Sequence, residues 1–243
     1  MTDIHLAIDA EKETKKIVHF LNITLQKHHM QNIVIGLSGG IDSMVSYYLL
    51  KRALPLKHIY PVHLPYDHTS PLVPKNTLIV SIKKPVDALK KLLRLDSNVR
   101  IGNIMARIRM VILYDFAKKH KALVCGTENK SEHLLGYFTR FGDAASDIEP
   151  IQHLYKTQVC QLAQYLEIPQ DVIKQHPTAD LWNGQTDEGE FGFTYEEADQ
   201  VLYLYADTHM SVSEIEKKGF NNAKKIIQRV KDNAFKHQTP YMP

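Results

Sequence analysis

Three shortages in this sequence exclude whole classes of protein. The two cysteines, Cys125 and Cys160, form no Cys-X-X-Cys pair, which argues against a zinc ribbon or a redox dithiol and suits a reducing cytosol. No stretch approaches the ~18 apolar residues of a membrane span, and the N-terminus lacks the apolar segment of a signal peptide. The formal net charge of +3 is too low to favour a nucleic-acid partner. We therefore expect a cytoplasmic protein that binds neither membranes nor nucleic acids.

Short β-branched segments alternate with amphipathic segments along the first half of the chain. Strands are predicted at 33–37, 59–64, 77–82 and 122–125. Helices are predicted at 9–28, 41–53, 85–94, 99–120 and 130–136. This alternation predicts an α/β fold, a doubly wound and mostly parallel sheet with helices on both faces, in which ligands bind beyond the C-terminal ends of the strands. The buried stripe of the longest helix is expected to contain Ile101, Ile104, Met105, Ile108, Val111 and Ile112.

The last third of the sequence predicts further helices. One covers 157–167, with Thr157 as the expected N-cap, and two later helices begin with capping-box pairs at 194/197 and 211/214. The acidic, glycine-rich stretch 180–193 has no periodicity and is predicted to be a long loop, either a functional lid or a plain connector. No repeat or linker divides the chain, so we expect one domain over 1–243.

The segment SGGIDS, residues 38–43, follows the first predicted strand and opens a helix. Its glycines allow a tight turn, and its successive N–H groups at a helix N-terminus suit an anion. Asp42 places a carboxylate beside that anion, which suits a bridging Mg²⁺ ion; alternatively, it only stabilises the helix dipole. The segment lacks the GK[ST] ending of a Walker A loop, so positive charge must come from a metal and from basic residues elsewhere.

Three polar stretches elsewhere each allow two interpretations. In NIMARIRM, Asn103 and Arg107 are one helical turn apart, and Arg107 either reaches a ligand phosphate or ribose or is a solvated surface arginine. In GTENKSE, Glu132 is either a second metal ligand or, with Asn129, part of a capping box. Lys156 lies at a predicted helix start, where its charge opposes the dipole. It therefore either meets an anionic ligand or is simply exposed.

Taken together, these motifs resemble the ammonia-dependent NAD synthetase family from about residue 33 to 240. They occur in the order SGGIDS, NIMARIRM, GTENKSE, GYFTRFGDAASDIEPI, LYKTQV, PTADLW, GQTDEGEFGFTYEEAD and FKHQTP. The resemblance implies a pyrophosphatase-type ATP loop, an adenine nucleotide alpha hydrolase-like fold and a homodimer that shares the dinucleotide site. It implies a ligase that amidates deamido-NAD with ammonia through an acyl-adenylate, giving NAD, AMP and pyrophosphate. A tRNA-modifying or other amidating enzyme with the same ATP loop is the alternative.

The resemblance also implies roles for individual residues. ATP is expected at Gly36, Leu37, Ser38, Gly39, Gly40, Ile41, Asp42, Ser43, Thr127, Lys156 and Thr178. Mg²⁺ is expected on Asp42 and Glu132, and deamido-NAD at Arg107, Arg140, Asp147 and Lys236. Asp42, Lys156 and Asp143 are expected to act in catalysis, with Asp143, Asp147 or water accepting the proton of ammonium. Free ammonia is the expected nitrogen source, because no glutaminase domain is recognised.

The sequence departs from the family pattern in four places. Arg140 stands where lysine is more usual, Ala144 where glycine is common, and Phe235 where many members have histidine. The 66–78 segment is short, so the loop nearest the adenine is expected to differ. A guanidinium keeps the charge of lysine but has a different geometry, so the contact made by Arg140 is expected to differ as well.

Overall fold

The computed structural model describes residues 4, 6–178, 184, 186–238 and 240–242. Within these residues, the strands are β1 (Asn32–Gly36), β2 (Ile59–His63), β3 (Leu78–Ile79) and β4 (Ala122–Cys125). The helices are α1 (Ala10–Lys27), α2 (Ile41–Ala53), α3 (Lys83–Leu92), α4 (Asn98–His120), α5 (Lys130–Leu135), α6 (Lys156–Tyr165), α7 (Gln170–Ile173), α8 (Asp187–Phe191), α9 (Tyr195–Leu202), α10 (Val212–Lys217) and α11 (Ala223–Asn233). Short 3₁₀ turns occur at Leu56–His58 and Ala234–Lys236, and a π-helical turn at Tyr203–Asp207.

The strands run parallel in the order β3-β2-β1-β4, which places β1 inside the sheet. Val34 of β1 lies beside Tyr60 of β2 and Val124 of β4. Alternate residues of a strand face opposite sides. Accordingly, Ile33 and Ile35 pack with α1, α2 and α6, whereas Val34 packs with α3 and α4. The predicted fold class, a doubly wound parallel sheet with helices on both faces, is confirmed.

Glycine and proline explain why most predicted boundaries agree with the structure. α2 follows its N-cap Gly40 and ends before Pro55, a residue that disfavours helical backbone immediately before it. β4 coincides with the predicted 122–125 segment. β3 is much shorter than the predicted 77–82, because it lies at the edge of the sheet and pairs only with β2, leaving Leu78 and Ile79 exposed.

The apolar stripe predicted for the longest helix is buried only in part. Met105 is buried, but Val111 is 56% exposed, and the isoleucines at 101, 104, 108 and 112 are half-buried against the sheet. α4 has 23 residues and crosses a sheet of short strands. Part of its apolar surface therefore extends beyond the sheet it packs on.

Two predictions for the C-terminal third are corrected. α6 begins at Lys156 with Tyr155 as its N-cap, not Thr157. The N–H of Thr157 instead donates to Oδ2 of Asp199 (2.8 Å), so a carboxylate of α9 replaces the predicted cap. The predicted loop 180–193 contains α8, whose N-cap is Thr186. Residues 180–183 and 185 of that prediction lie outside the described residues.

Helices α5 and α8–α11 pack around a separate apolar cluster that includes Leu135, Phe191 and Phe220. The cap predicted at 211/214 is a full capping box, and at 194/197 the threonine accepts the expected backbone N–H. No helix of the described residues is long and apolar enough to cross a membrane. The helical cluster lies beyond α5 and α6, which connect it to the carboxyl end of the sheet.

Candidate active site at the carboxyl end of the sheet

The 38–43 turn is shaped by the segment that follows β2. Gly39 has φ +93°, and a Cβ atom there would lie 2.3 Å from Oγ of Ser70. The N–H of Ser70 donates to Nε2 of His63 (3.1 Å), so Nδ1–H of this buried histidine donates to the carbonyl of Leu37 (2.7 Å). Glycine is therefore required at position 39. His63, which sequence reasoning missed, fixes the backbone of the turn.

The first turn of α2 keeps its backbone N–H groups available. No side chain caps this helix, because the N-cap is Gly40. Oγ of Ser38 accepts from the N–H of Gly40 (3.1 Å) and lies 3.2 Å from Oγ of Ser43. Uncapped N–H groups beside two hydroxyls are suited to a phosphate. The residues predicted for ATP from Gly36 to Ser43 thus cover the end of β1, the turn and the start of α2.

Lys156, the first residue of α6, lies between two carboxylates from other helices. Its Nζ donates a short hydrogen bond to Oδ2 of Asp42 and lies 3.4 Å from Oε1 of Glu132. The lysine side chain is 5% exposed and each acidic side chain 17%. Nδ2 of Asn129 also donates to Asp42 (2.9 Å). The structure therefore brings together the predicted catalytic pair Asp42 and Lys156 and the predicted metal pair Asp42 and Glu132.

The capping-box interpretation of Glu132 is confirmed, and the other oxygen of this side chain lies outside the cap. Oε2 accepts from the N–H of Asn129 (3.4 Å) in a capping box, while Oε1 faces Lys156. Burial lowers the pKa of Lys156, but Asp42 and Glu132 outweigh burial and the pKa is raised. Burial and the charge of Asp42 raise the pKa of Glu132, against the effect of Lys156. Two carboxylates sharing one ammonium leave negative charge that a further cation would offset.

Asp187 of α8 is a third acid near this cluster. It is 3% exposed, and its Oδ2 accepts from the hydroxyl of Tyr195 (3.0 Å). Its Oδ1 is buried and has no hydrogen-bond partner within the described residues. Burial raises the pKa of Asp187, and the charge of Lys156 opposes this. α8 therefore places an acid beside the Asp42–Lys156–Glu132 cluster.

The basic residues predicted for the dinucleotide gather around the turn at 136–143. Nη2 of Arg107 donates to the carbonyl of Arg140 (3.3 Å). Nζ of Lys236 donates to the carbonyls of residues 136 (2.6 Å) and 138 (3.1 Å). The guanidinium of Arg140 lies 5.4 Å from the ring centroid of Phe235. Arg140 and Phe235, which both depart from the family pattern, thus contact each other. A guanidinium favours such an arrangement over an aromatic ring.

Asp143 and Asp147 lie in the same turn region but have different surroundings. Asp143 accepts from the N–H of Thr139 (2.9 Å), and desolvation by the surrounding atoms raises its pKa. Asp147 instead accepts from the N–H of Val124 (2.8 Å) at the edge of β4. Among the described residues, no ion pair or hydrogen bond joins the carboxylate of Asp147 to the three basic side chains.

The remaining predicted ATP residues are less closely grouped. Thr127 is half-buried immediately after β4, next to the turn that carries Asn129. Thr178 is exposed in the segment after α7, just before residues outside the described ranges. Two acids that the sequence left without a role, the buried Glu128 and the half-buried Glu149, lie at the end of β4. The only sequence feature that could have identified them is an acidic residue within or beside an apolar segment. That feature is too common to indicate a site unless the fold is known.

Comparison with known proteins agrees with this geometry. Residues 13–240 match the NAD synthase family. An NH(3)-dependent NAD(+) synthetase from Fusobacterium nucleatum is 40% identical, and the match covers 97% of this chain and 96% of that protein. This chain belongs to the NAD synthase family. The predicted family and the predicted ligase class are therefore confirmed.

Two solved structures of NAD synthase relatives share the fold along their whole length. An NH3-dependent NAD synthetase from Campylobacter jejuni, in complex with nitrate, has a TM-score of 0.81 and 30% identity, covering 97% of this chain and 100% of that one. An NMN synthetase from Francisella tularensis has a TM-score of 0.82 and 31% identity, covering 98% and 99%. NAD synthase membership thus extends over the α/β sheet and the C-terminal helices alike.

Proposed function

We propose that this chain is an ammonia-dependent NAD synthetase, which uses ATP to convert the nicotinate carboxylate of deamido-NAD into the carboxamide of NAD. One observation carries the proposal: the buried Asp42–Lys156–Glu132 cluster lies directly beside the uncapped start of α2. A triphosphate at this turn meets backbone N–H groups on one side and a buried ammonium on the other. The resemblance of the surrounding motifs to relatives named for this reaction supports the same activity.

The proposed chemistry has two steps, because a carboxylate has no usable leaving group. The nicotinate carboxylate first attacks the α-phosphate of ATP, which gives an acyl-adenylate and pyrophosphate. The N–H groups of the turn and Lys156 stabilise the charge on the pyrophosphate. Ammonia then forms the C–N bond and AMP leaves. The chain acts mainly by positioning, and no thiol is needed: burial raises the pKa of Cys160 to about 11.

Asp42 and Glu132 fit a Mg²⁺ ion. Magnesium is usually held by one or two carboxylates together with substrate phosphates and water. The pair has the right oxygen donors. Burial and then the charge of Asp42 raise the pKa of Glu132, and a nearby cation would oppose this rise. When bound, Mg²⁺ supplies neutralisation of phosphate charge. When no metal is bound, Lys156 holds both carboxylates in place.

The basic cluster is the proposed site of deamido-NAD. Arg107, Arg140 and Lys236 come from three separate parts of the chain and converge on the 136–143 turn. Burial and the nearby Arg229 and Arg140 lower the pKa of Lys236, so excess positive charge is present there. A dinucleotide pyrophosphate would offset this charge. Asp143 is a proposed catalytic acid or base, and Asp147 is a proposed deamido-NAD contact that also holds the turn against β4.

Three wider features complete the proposal. α8 is the proposed lid that excludes water from the adenylate, because Asp187 reaches the lysine cluster from it. A homodimer is proposed through α4, whose Val111 is 56% exposed beside half-buried isoleucines. The chain is proposed to work as one domain in the cytoplasm on free ammonia, in line with its two free cysteines.

The test is a single reaction with matched omissions. Protein, ATP, Mg²⁺, deamido-NAD and ammonium chloride are mixed, and NAD, AMP and pyrophosphate are measured together. We expect equal amounts of the three products and none without ATP or ammonium. ATP hydrolysis without NAD, or retention on immobilised tRNA at physiological salt, would favour the alternative of a different amidating or tRNA-modifying enzyme.

Amidation of a mononucleotide is the second candidate. The Francisella tularensis relative is named an NMN synthetase and is as similar in structure as the NAD synthetase from Campylobacter jejuni. The same assay therefore includes nicotinate mononucleotide as a competing substrate. A higher kcat/KM for deamido-NAD supports the main proposal, and a higher value for the mononucleotide replaces it.

A further inference from the structure

One buried acid of α9 holds the first residues of both α5 and α6. Asp199 is fully buried, and its Oδ2 accepts from the N–H of Thr157 (2.8 Å). Its Oδ1 accepts from Oγ of Ser131 (2.5 Å), and the same Oγ accepts from the N–H of Lys156 (2.9 Å). Asp199 therefore holds the start of α6 twice, once directly and once through a hydroxyl of α5.

These contacts fall on the two charged residues that face Asp42, or directly beside them. Ser131 precedes Glu132 on α5, and the N–H that donates to Ser131 is that of Lys156 itself. Nζ of Lys156 and Oε1 of Glu132 are 3.4 Å apart, so their contact depends on where each helix begins. The geometry of the Asp42–Lys156–Glu132 cluster is thus set from α9, a helix that supplies none of its three residues.

The burial of Asp199 is compensated by the groups that it holds. The other buried residues of α9 are alanine, valine, leucine and tyrosine, and a buried charge among them is costly unless it is hydrogen-bonded. Burial raises the pKa of Asp199 to about 6, while the bonds from Ser131 and Thr157 and the charge of Lys156 oppose this rise. Asp199 is therefore ionised at neutral pH, and both of its oxygens are acceptors.

The same acid accounts for a lysine at the start of α6. The helix dipole opposes a cation at a helix N-terminus and favours an anion there. Asp199 supplies a carboxylate at the first two N–H groups of this helix, one of them reached through Ser131. The anion that the dipole favours is therefore present, and Lys156 can extend its ammonium from the first turn of α6 towards Asp42.

A second acid holds the residues that come just before these. Asp207, in the π-helical turn after α9, accepts from Nζ of Lys130 (2.6 Å) and from the hydroxyl of Tyr155 (2.8 Å). Lys130 and Tyr155 directly precede the two residues that Asp199 joins, so both acids connect the same two helix starts. The side chains of Asp207 and Lys130 are 34% and 23% exposed, so water competes with this outer contact more than with the buried one.

We propose that Asp199 is a positioning residue of the ATP site, which fixes the starts of α5 and α6 so that the ammonium of Lys156 meets the triphosphate. This inference rests on the proposed function, because it takes Lys156 as a cation that binds ATP. Asp199 is fully buried and acts through Lys156 rather than by touching a substrate. Since a misplacement of about 1 Å can cost about 10²-fold in rate, loss of this support should be measurable.

The test uses Asp199→Asn, which keeps the volume of the side chain but removes one acceptor. The amide N–H₂ of D199N must face either the hydroxyl of Ser131 or the N–H of Thr157, so one of the two bonds is lost. Val201→Ala, at a fully buried apolar position of the same helix, is the control for a loss of stability alone. Urea unfolding establishes that each variant is folded under the assay conditions.

The main measurement is the dissociation constant of ATP, which requires no turnover. It is compared in the wild type, D199N, Lys156→Met and the double variant. We expect D199N and K156M each to raise the constant about tenfold, and the double variant to exceed K156M by no more than about twofold, because both substitutions remove the same contact. V201A should bind ATP as the wild type does. If D199N only loosened the fold, its effect would be equally large with and without Lys156.

Catalysis gives a second readout. Deamido-NAD-dependent exchange of pyrophosphate into ATP measures adenylation. D199N should lower kcat for this exchange by about 10- to 100-fold. It should change KM for deamido-NAD far less, because Asp199 contacts the starts of α5 and α6 rather than the 136–143 turn.

The outcomes distinguish this inference from the proposed function. Equal effects of D199N with and without Lys156, or unchanged ATP binding in D199N, overturn the inference. A wild type that binds ATP with the expected coupling but shows no exchange overturns the proposed synthetase and still supports the positioning role. A wild type that binds no ATP overturns both. If D199N does not fold, Ser131→Ala replaces it, since it removes only the link to the N–H of Lys156. Unchanged ATP binding in S131A would then overturn the inference.

Discussion

Replacement of Lys156 by methionine tests the buried cluster most directly. The substitution keeps most of the side-chain volume but removes the ammonium that Asp42 and Glu132 share. Both acids are 17% exposed, so water replaces the lost contact poorly. Removing one member of a buried ion pair costs about 3–5 kcal/mol, because the remaining charge is left unpaired. We expect the free energy of unfolding of K156M to fall by about this amount at neutral pH.

The loss of unfolding free energy in K156M should become smaller as the pH falls. Burial and the charge of Asp42 raise the folded pKa of Glu132 above the unfolded value of 4.5, and the charge of Lys156 and the N–H of Asn129 oppose them. In K156M the folded state therefore takes up a proton more readily than the unfolded chain, and its stability rises as the pH falls towards the unfolded pKa. The difference between K156M and the wild type should thus shrink between pH 7.5 and pH 5. Urea unfolding at a series of pH values measures this.

The same variant also tests the metal proposal without an activity assay. If the paired carboxylates hold Mg²⁺ as proposed, millimolar Mg²⁺ should raise the unfolding midpoint of K156M more than that of the wild type, because the lysine no longer competes for them. Lys15→Met is the control, because its partner Glu11 and Lys15 itself are 60% and 74% exposed. That variant should be nearly unaffected at any pH. A K156M protein as stable as the wild type, with no response to pH, would refute the description of the cluster.

Three further predictions concern the turn, the lid and the helix α4. Gly39→Ala forces a side chain into backbone with φ +93°, so it should cost at least about 1 kcal/mol in stability and raise KM for ATP, as measured by unfolding and initial rates. Tyr195→Phe removes the donor to Asp187, which should lower the unfolding free energy by about 1–3 kcal/mol and increase AMP release without NAD; unchanged partitioning would exclude the lid. Val111→Glu should convert a dimer into monomers in sedimentation velocity, whereas Lys118→Glu, at an exposed position of the same helix, should not.

The sequence predicted helices and strands well where glycine, proline or a short apolar run constrains the backbone locally. The run of glycines before α2 and the proline after it set both ends of that helix. The short apolar run at 122–125 could only be a strand between two helices, and β4 has those bounds. Where a contact from elsewhere decides the boundary, the prediction failed. Thr157 is capped by Asp199, 42 positions away, so its own hydroxyl did not indicate the helix start.

The candidate site likewise combines features that local sequence predicts with features that depend on distant contacts. The sequence of residues 38–43 was sufficient to predict the turn, because the proposed function of the turn depends on consecutive backbone groups. Asp42 and Lys156 are 114 positions apart, and local spacing left open whether Lys156 meets an anionic ligand or is exposed, so their contact could not be predicted from the sequence. The α8 segment was predicted to be a loop because the 180–193 stretch is acidic, rich in glycine and without periodicity. Burial of Phe191 and the bond from Tyr195 to Asp187 stabilise it instead.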